Sequence, residues 1–143
     1  MGFFSKYFSK PPDPIKEVRH HTLGLMRFED DDESWIGKYN EIEYLISYDK
    51  EELPNSNLLE YASNKLTNMT WLEDSLVQAK KKAKLEYNSK LELEIEELEY
   101  KNIMFYKFKN SMNILAQLSD DNGDRLWRIE FSNENCDGIG CDT

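Results

Sequence analysis

The sequence predicts an α+β domain in which helices pack on an antiparallel sheet, with the elements in the order βββ-αα(α)-βββ. Three observations lead to this fold class. Apolar and polar residues alternate near both ends of the chain, apolar residues repeat at helical spacing in the middle, and turn residues separate these runs. Aromatic residues make up 13% of the 143 residues, which is enough to supply the core of a single domain.

The first third of the chain has the period of a sheet. Strands are predicted over 22–28, 35–39 and 42–48, forming an antiparallel meander with one dry and one wet face. The acidic run 29–33 separates the first two, because adjacent carboxylates are unfavourable inside a strand.

The middle of the chain has the period of a helix. Helices are predicted over 57–67 and 71–86, opened by capping boxes that start at Asn57 and Thr70. The segment 89–99 leaves two alternatives open, since its apolar residues fit both helical spacing and strict alternation.

The last third returns to the period of a sheet. Strands are predicted over 103–108, 112–118 and 127–131, and Asn122-Gly123 predicts a tight hairpin turn between the last two. The polar tail 132–143 follows. Its two glycines, Gly138 and Gly140, would allow a close approach to another surface. We expect the tail to cap a sheet edge, with a contact loop as the alternative.

The domain is predicted to comprise residues 15–143, preceded by an amphipathic, proline-rich segment, 1–14. In this segment Phe3, Phe4, Tyr7 and Phe8 form an aromatic cluster that precedes three prolines. We expect a frayed terminus whose aromatic side chains pack against the domain. The alternative is a weak peripheral contact with a membrane or a partner. No transmembrane stretch is present in the sequence.

Charge is the strongest functional signal in the sequence. The chain has 28 acidic and 18 basic residues, a net charge of −10. This argues against nucleic acid or an anionic membrane as the main partner and favours a basic protein. The residues expected to bind such a partner are, first, Asp30, Asp31, Asp32 and Glu33, and second, Glu94, Glu96 and Glu97. A lysine cluster at 80–84 is expected to be a solvated helix end and not a nucleic-acid patch.

Catalytic and metal chemistry finds little support in the sequence. The histidines, His20 and His21, are adjacent and would point to opposite faces of a strand, so they cannot easily share one metal. The cysteines, Cys136 and Cys141, do not have the Cys-x-x-Cys spacing of a zinc knuckle. We predict no catalytic residue, metal or cofactor. Two thiols without a disulfide framework fit the cytoplasm. A small enzyme that pairs one cysteine with one histidine remains the alternative, together with a self-associating module that uses the N-terminal aromatics.

The motif His21-x-x-Gly24-x-Met26-x-Phe28, followed by the acidic run and Trp35-x-Gly37, resembles a group of small bacterial domains of unknown function. Those domains share a β-hairpin opening, then helices and a closing sheet, and some are suspected immunity proteins of polymorphic toxin systems. The resemblance is clear over the first quarter of the chain and elsewhere extends only to element order. It implies a bacterial cytoplasmic protein that binds a partner, and it carries over no catalytic residue. The prediction is therefore a non-enzymatic binding protein, an immunity-type inhibitor that covers a basic partner with an acidic face.

Overall fold

Eight strands form one mixed sheet in the computed structural model, which describes residues 11–87, 89–120, 125–132 and 135–142. Neighbouring strands in the sheet follow the order of the chain. The strands are β1 (Glu17–His20), β2 (Gly24–Glu29), β3 (Ser34–Tyr39), β4 (Ile42–Ser47), β5 (Glu99–Phe108), β6 (Ser111–Ser119), β7 (Leu126–Ser132) and β8 (Asn135–Asp142). Between β4 and β5 the chain forms α1 (Ser56–Leu66), α2 (Met69–Glu86), a 3-10 turn (Ser89–Leu91) and α3 (Glu92–Glu96).

The expected order βββ-αα(α)-βββ is wrong, because four strands precede the helices and four follow them. The missed first strand, β1, has only four residues, of which Glu17 and Arg19 are charged and exposed. Its hydrophobic signal is weak because it is an edge strand, and edge strands carry charged side chains that oppose pairing with another chain. The missed last strand is the tail, which is the edge strand β8 itself and not a cap laid over an edge.

The expectation of a purely antiparallel sheet is also wrong. β4 and β5 run parallel, with Tyr44 opposite Ile103 and Ile46 opposite Phe105. Parallel neighbours need a long crossover connection, and the helical segment between β4 and β5 supplies it. The other six strand pairs are antiparallel.

The predicted helices exist, but their caps lie two residues earlier than expected. The side chain of Asn55 accepts the backbone N–H of Leu58 at 3.0 Å, and Asn68 accepts that of Trp71 at 3.0 Å. These are the N-caps of α1 and α2. Segment 89–96 is helical, which decides between the two alternatives for this part of the chain.

The core lies between one face of the sheet and the helices. Helix α1 contacts β4 and β5, while α2 contacts β8. The largest fully buried side chains on the sheet side are Met26, Trp35, Tyr44, Ile46, Ile103, Phe105 and Trp127, and the helices contribute Leu58, Leu66 and Ile95. In β5, β6 and β7 this burial follows the alternation of apolar residues that the sequence predicts.

Two predictions fall on residues outside the described ones. These are the amphipathic part of segment 1–14, up to residue 10, and the hairpin turn at 121–124. Among the described residues, no helix is both long enough and apolar enough to cross a membrane.

Candidate protein-binding site

Two acidic segments that are separate in the sequence lie side by side at one end of the sheet. The first is the turn between β2 and β3, and the second is the loop that follows β4. Ser34 pairs with Ser47 at the end of the β3–β4 ladder, and the backbone N–H of Tyr48 donates to the carbonyl of Glu33 at 2.9 Å. The result is a surface that we call the acidic end: Asp30, Asp31, Asp32, Glu33, Asp49, Glu51 and Glu52.

Aromatic side chains pack together beneath the strand ends that carry the acidic end. The ring of Phe28 lies edge-on to Trp35 with centroids 5.0 Å apart, and to Tyr48 with centroids 5.7 Å apart. Trp35 is fully buried. Edge-to-face rings of this kind pack tightly, so the strand ends that carry both acidic segments are held firmly.

The chain before β1 crosses the same end of the sheet and adds further hydrogen bonds. The indole N–H of Trp35 donates to the carbonyl of Ile15 at 2.9 Å, and the hydroxyl of Tyr48 donates to the carbonyl of Pro12 at 2.8 Å. The backbone N–H of Ile15 donates to the carbonyl of Glu52 at 2.7 Å. The two acidic segments are therefore tied to each other and to this crossing segment.

The cations at the acidic end are fewer than its seven carboxylates within the described residues, and one of them, Lys50, lies exposed in the second segment between Asp49 and Glu51. Lys16 Nζ lies 3.3 Å from a carboxylate oxygen of Asp30, and Lys107 Nζ lies 3.6 Å from one of Asp49. The Lys16–Asp30 pair is largely exposed, with 66% and 81% of the two side chains accessible. Exposed pairs of this kind bind weakly, so a partner's cation can displace them at little cost.

The second predicted acidic group is used differently by the fold. Glu94 points towards β7, where its carboxylate accepts the indole N–H of Trp127 at 3.0 Å and the Nε–H of Arg125 at 3.1 Å. Glu96 forms an ion pair with Lys84, and its carbonyl accepts Lys80 Nζ at 2.8 Å. Glu97 is exposed.

The lysine cluster contacts Glu96, in the acidic segment that follows it in the chain. Lys80 and Lys84 both contact Glu96, while Lys82 donates to the backbone carbonyl of Asp137 on β8 at 2.9 Å. These cations hold α3 and β8 against α2 and do not form an open basic patch.

The histidines line a polar groove of about 630 Å³ between the β1–β2 turn and the outward side of α1. The rings of His20 and His21 lie side by side with centroids 4.3 Å apart, so the expectation that they point to opposite faces of a strand is wrong, because β1 ends at His20 and His21 lies in the turn. Nδ1 of His20 accepts the backbone N–H groups of Thr22 and Leu23, each at 3.1 Å. Burial, followed by the charge of His21, lowers the pKa of His20 below its ordinary value of 6.5.

The structure does not bring the cysteines to the histidines. Cys136 and Cys141 lie on β8 and His20 on β1, so six strands separate them, a path of about 34 Å along the sheet. Burial raises the pKa of Cys136, which disfavours the nucleophilic thiolate. Among the described residues, no three His, Cys, Asp or Glu side chains are placed to hold a metal ion.

Residues of the motif His21-x-x-Gly24-x-Met26-x-Phe28 and of Trp35-x-Gly37 have structural roles in the fold. Gly24 has a φ of +78°, which a residue with a side chain rarely adopts, and Met26 is fully buried. Gly37 leaves room for the ring of Tyr44.

Comparisons with family models, with curated proteins and with solved structures found no match for this chain.

Sequence reasoning missed Asp49, Glu51 and Glu52 as part of the candidate site. The only signal in the sequence is their position just after a predicted strand. Recognising their relation to the run 29–33 requires the register of β3 against β4, which places Ser34 opposite Ser47.

Proposed function

We propose that this chain is a non-enzymatic binding protein that meets a basic protein partner through the acidic end. The observation that carries the proposal is the hydrogen bond from Tyr48 N–H to Glu33 O, together with the β3–β4 register. It joins two short acidic segments into one surface of seven carboxylates.

The arrangement of this surface favours a protein ligand over a small ion. The carboxylates follow the ends of strands in a turn and a loop, and among the described residues no three of them are placed to hold a metal ion. A spread of negative charge steers a cationic protein towards the site and raises its association rate. The rigid aromatic support keeps the loss of backbone entropy on binding small.

The other acidic residues contribute less to this proposal. Glu94 and Glu96 already contact Trp127, Arg125 and two lysines, so a partner would have to compete with contacts inside the fold. Glu97 is exposed and can add long-range attraction.

An immunity-type inhibitor of a basic toxin or nuclease, acting in the bacterial cytoplasm, is the specific form of this proposal. It is supported by the net charge of −10 and by the resemblance of the opening motif. Inhibition would arise when the acidic end covers the cationic surface that the toxin uses for its own substrate.

A charge-matched pair of variants tests the proposal. The test variant carries Asp31→Asn, Asp32→Asn and Glu52→Gln, which neutralises three carboxylates of the acidic end. The control variant carries Glu41→Gln, Glu73→Gln and Asp74→Asn, which changes the net charge equally at exposed positions elsewhere. Each tagged protein is used to purify partners from the native cell, and the association rate of the purified partner is then measured at several salt concentrations.

We expect wild type and control to retain the same stoichiometric basic protein and the test variant to lose it. With purified partner, the test variant should associate more slowly, by about tenfold, and with a shallower salt dependence. Equal association rates for the test and control variants would contradict the assignment of the acidic end. Retention of no basic protein by wild type would contradict the proposed function itself.

A further inference from the structure

The imidazole of His20 closes the turn between β1 and β2 through a single nitrogen. Nδ1 accepts two backbone N–H groups, from Thr22 and Leu23, each at 3.1 Å. We call residues 20–23 the His20 turn. A ring nitrogen accepts hydrogen bonds only through its lone pair, so these two bonds exist only while Nδ1 is unprotonated.

The His20 turn is connected directly to the core. Leu23 is 2% exposed, and its carbonyl accepts the hydroxyl of the fully buried Tyr44 at 2.9 Å. The next residue, Gly24, pairs with His20 in the β1–β2 ladder. The backbone at Leu23 is therefore held from two sides, by His20 through its N–H and by Tyr44 through its carbonyl.

Among the described residues, the charged and titratable groups that line the groove together with His20 are His21 of its own turn and Glu60 of α1. His21 stacks on it at 4.3 Å, and Glu60 of α1 lines the same groove. The β2 residue opposite His20 is Gly24, which carries no charge. The charge of His21 disfavours a proton on His20.

We propose that His20 is a pH-sensitive latch, in which protonation of Nδ1 removes both hydrogen bonds, releases the His20 turn and widens the groove against α1. The proton comes from solvent, and no covalent bond changes. The donors freed on Thr22 and Leu23 then turn to water.

The direction of the effect follows from linkage. The pKa of His20 in the folded protein lies below 6.5, so the open turn binds a proton more readily than the closed one. The stabilisation of the closed turn is complete above pH 6.5 and is lost as the pH falls through the lower pKa of the closed state.

Amide hydrogen exchange measured by NMR on the full chain tests this latch, from about pH 7.5 to about pH 5, a range that covers histidine titration. Protection of the Leu23 amide, corrected for intrinsic exchange, should decrease at low pH by up to about tenfold per pH unit. Chemical shifts of the Ser63 and Asn64 amides, across the groove, should move with the same midpoint.

Two variants separate the latch from general acid effects. His20→Asn keeps an acceptor oxygen near the position of Nδ1 but cannot titrate, so Leu23 protection should become independent of pH. His21→Gln removes the neighbouring imidazole and should retain the pH dependence, with the midpoint shifted upwards.

The proposal is overturned if Leu23 protection in wild type does not change over this range, or if His20→Asn retains the wild-type dependence. His20→Ala should show an unprotected Leu23 amide at every pH. If that variant fails to fold, wild type and His20→Asn still decide the matter.

Discussion

The side chain of Tyr44 lies where a Cβ atom on Gly37 would be, across the pair that these two residues form between β3 and β4. The ring therefore covers the backbone of β3 directly. From this position the Tyr44 hydroxyl reaches the carbonyl of Leu23, at 2.9 Å. Glycine at position 37 therefore allows the hydrogen bond between Tyr44 and Leu23, which joins β4 to the β1–β2 turn.

Gly37→Ala should lower the free energy of unfolding by about 2 kcal/mol, because the new methyl group must displace a fully buried ring. Urea denaturation measures this change. Gly138→Ala is the matched control, since its Cβ would meet nothing within 4 Å among the described residues. That substitution should change stability by less than about 0.5 kcal/mol. Equal losses in the two variants would show that Tyr44 does not restrict position 37.

Glu94→Ala should destabilise the fold by about 2 kcal/mol, because it leaves the buried indole N–H of Trp127 without its acceptor. Glu94→Gln keeps one acceptor oxygen and should lose less. Glu97→Ala, at an exposed position on the same segment, should change stability by less than about 0.5 kcal/mol. Urea midpoints of the three variants provide the comparison, and a loss in Glu97→Ala equal to that in Glu94→Ala would contradict this role.

Asn68→Ala should lower stability by about 1 kcal/mol, because it removes the acceptor for the Trp71 N–H at the start of α2. Asn68→Ser should restore most of the loss, since serine also caps helices. Thr70→Ala removes the cap that the sequence predicts, and it should have little effect because Thr70 lies inside α2. Thermal unfolding followed by circular dichroism ranks the three, and a larger loss at Thr70 would reverse the assignment.

Two tyrosines should ionise only at very high pH. Burial raises the pKa of Tyr44 and of Tyr100 to about 12 each, from an ordinary value of 10.0. Because the neutral phenol is favoured in the folded state, its stabilisation is complete below pH 10 and is lost as the pH rises towards 12. Ultraviolet titration should show, for Tyr44→Phe and for Tyr100→Phe, one phenol fewer than in wild type among those that ionise near pH 12. Loss of an early-ionising group instead would contradict the burial of that phenol.

Much of the local structure could be predicted from sequence. The alternation around Trp35 and around Trp127, and the helical repeat that includes Leu58 and Leu72, depend only on neighbouring residues. The weak elements could not be predicted in the same way. Strand β1 has charged residues at alternate positions, and β8 contains two glycines, so neither shows a strong hydrophobic pattern. Both are recognised as strands only by the partners with which they pair.

The candidate site, like the fold, could be predicted only in part from the sequence. The exposed acidic run 29–33 is visible in the sequence, because a run of carboxylates cannot be buried. Its joining with Asp49, Glu51 and Glu52 depends on the β3–β4 register, and the use of Glu94 inside the fold depends on Trp127, 33 residues further along the chain.

The sequence by itself determined the α+β composition, the two main helices and the excess of negative charge, since each of these is a property of single residues or of local periodicity. Only the tertiary structure decided that β5 runs parallel to β4, which carboxylates face solvent together, and that His20 closes a turn with Nδ1. The physical reason is that hydrogen-bond partners, ion pairs and ring contacts form between residues distant in the chain. Their pairing depends on how the whole chain packs its core, and no local pattern records it.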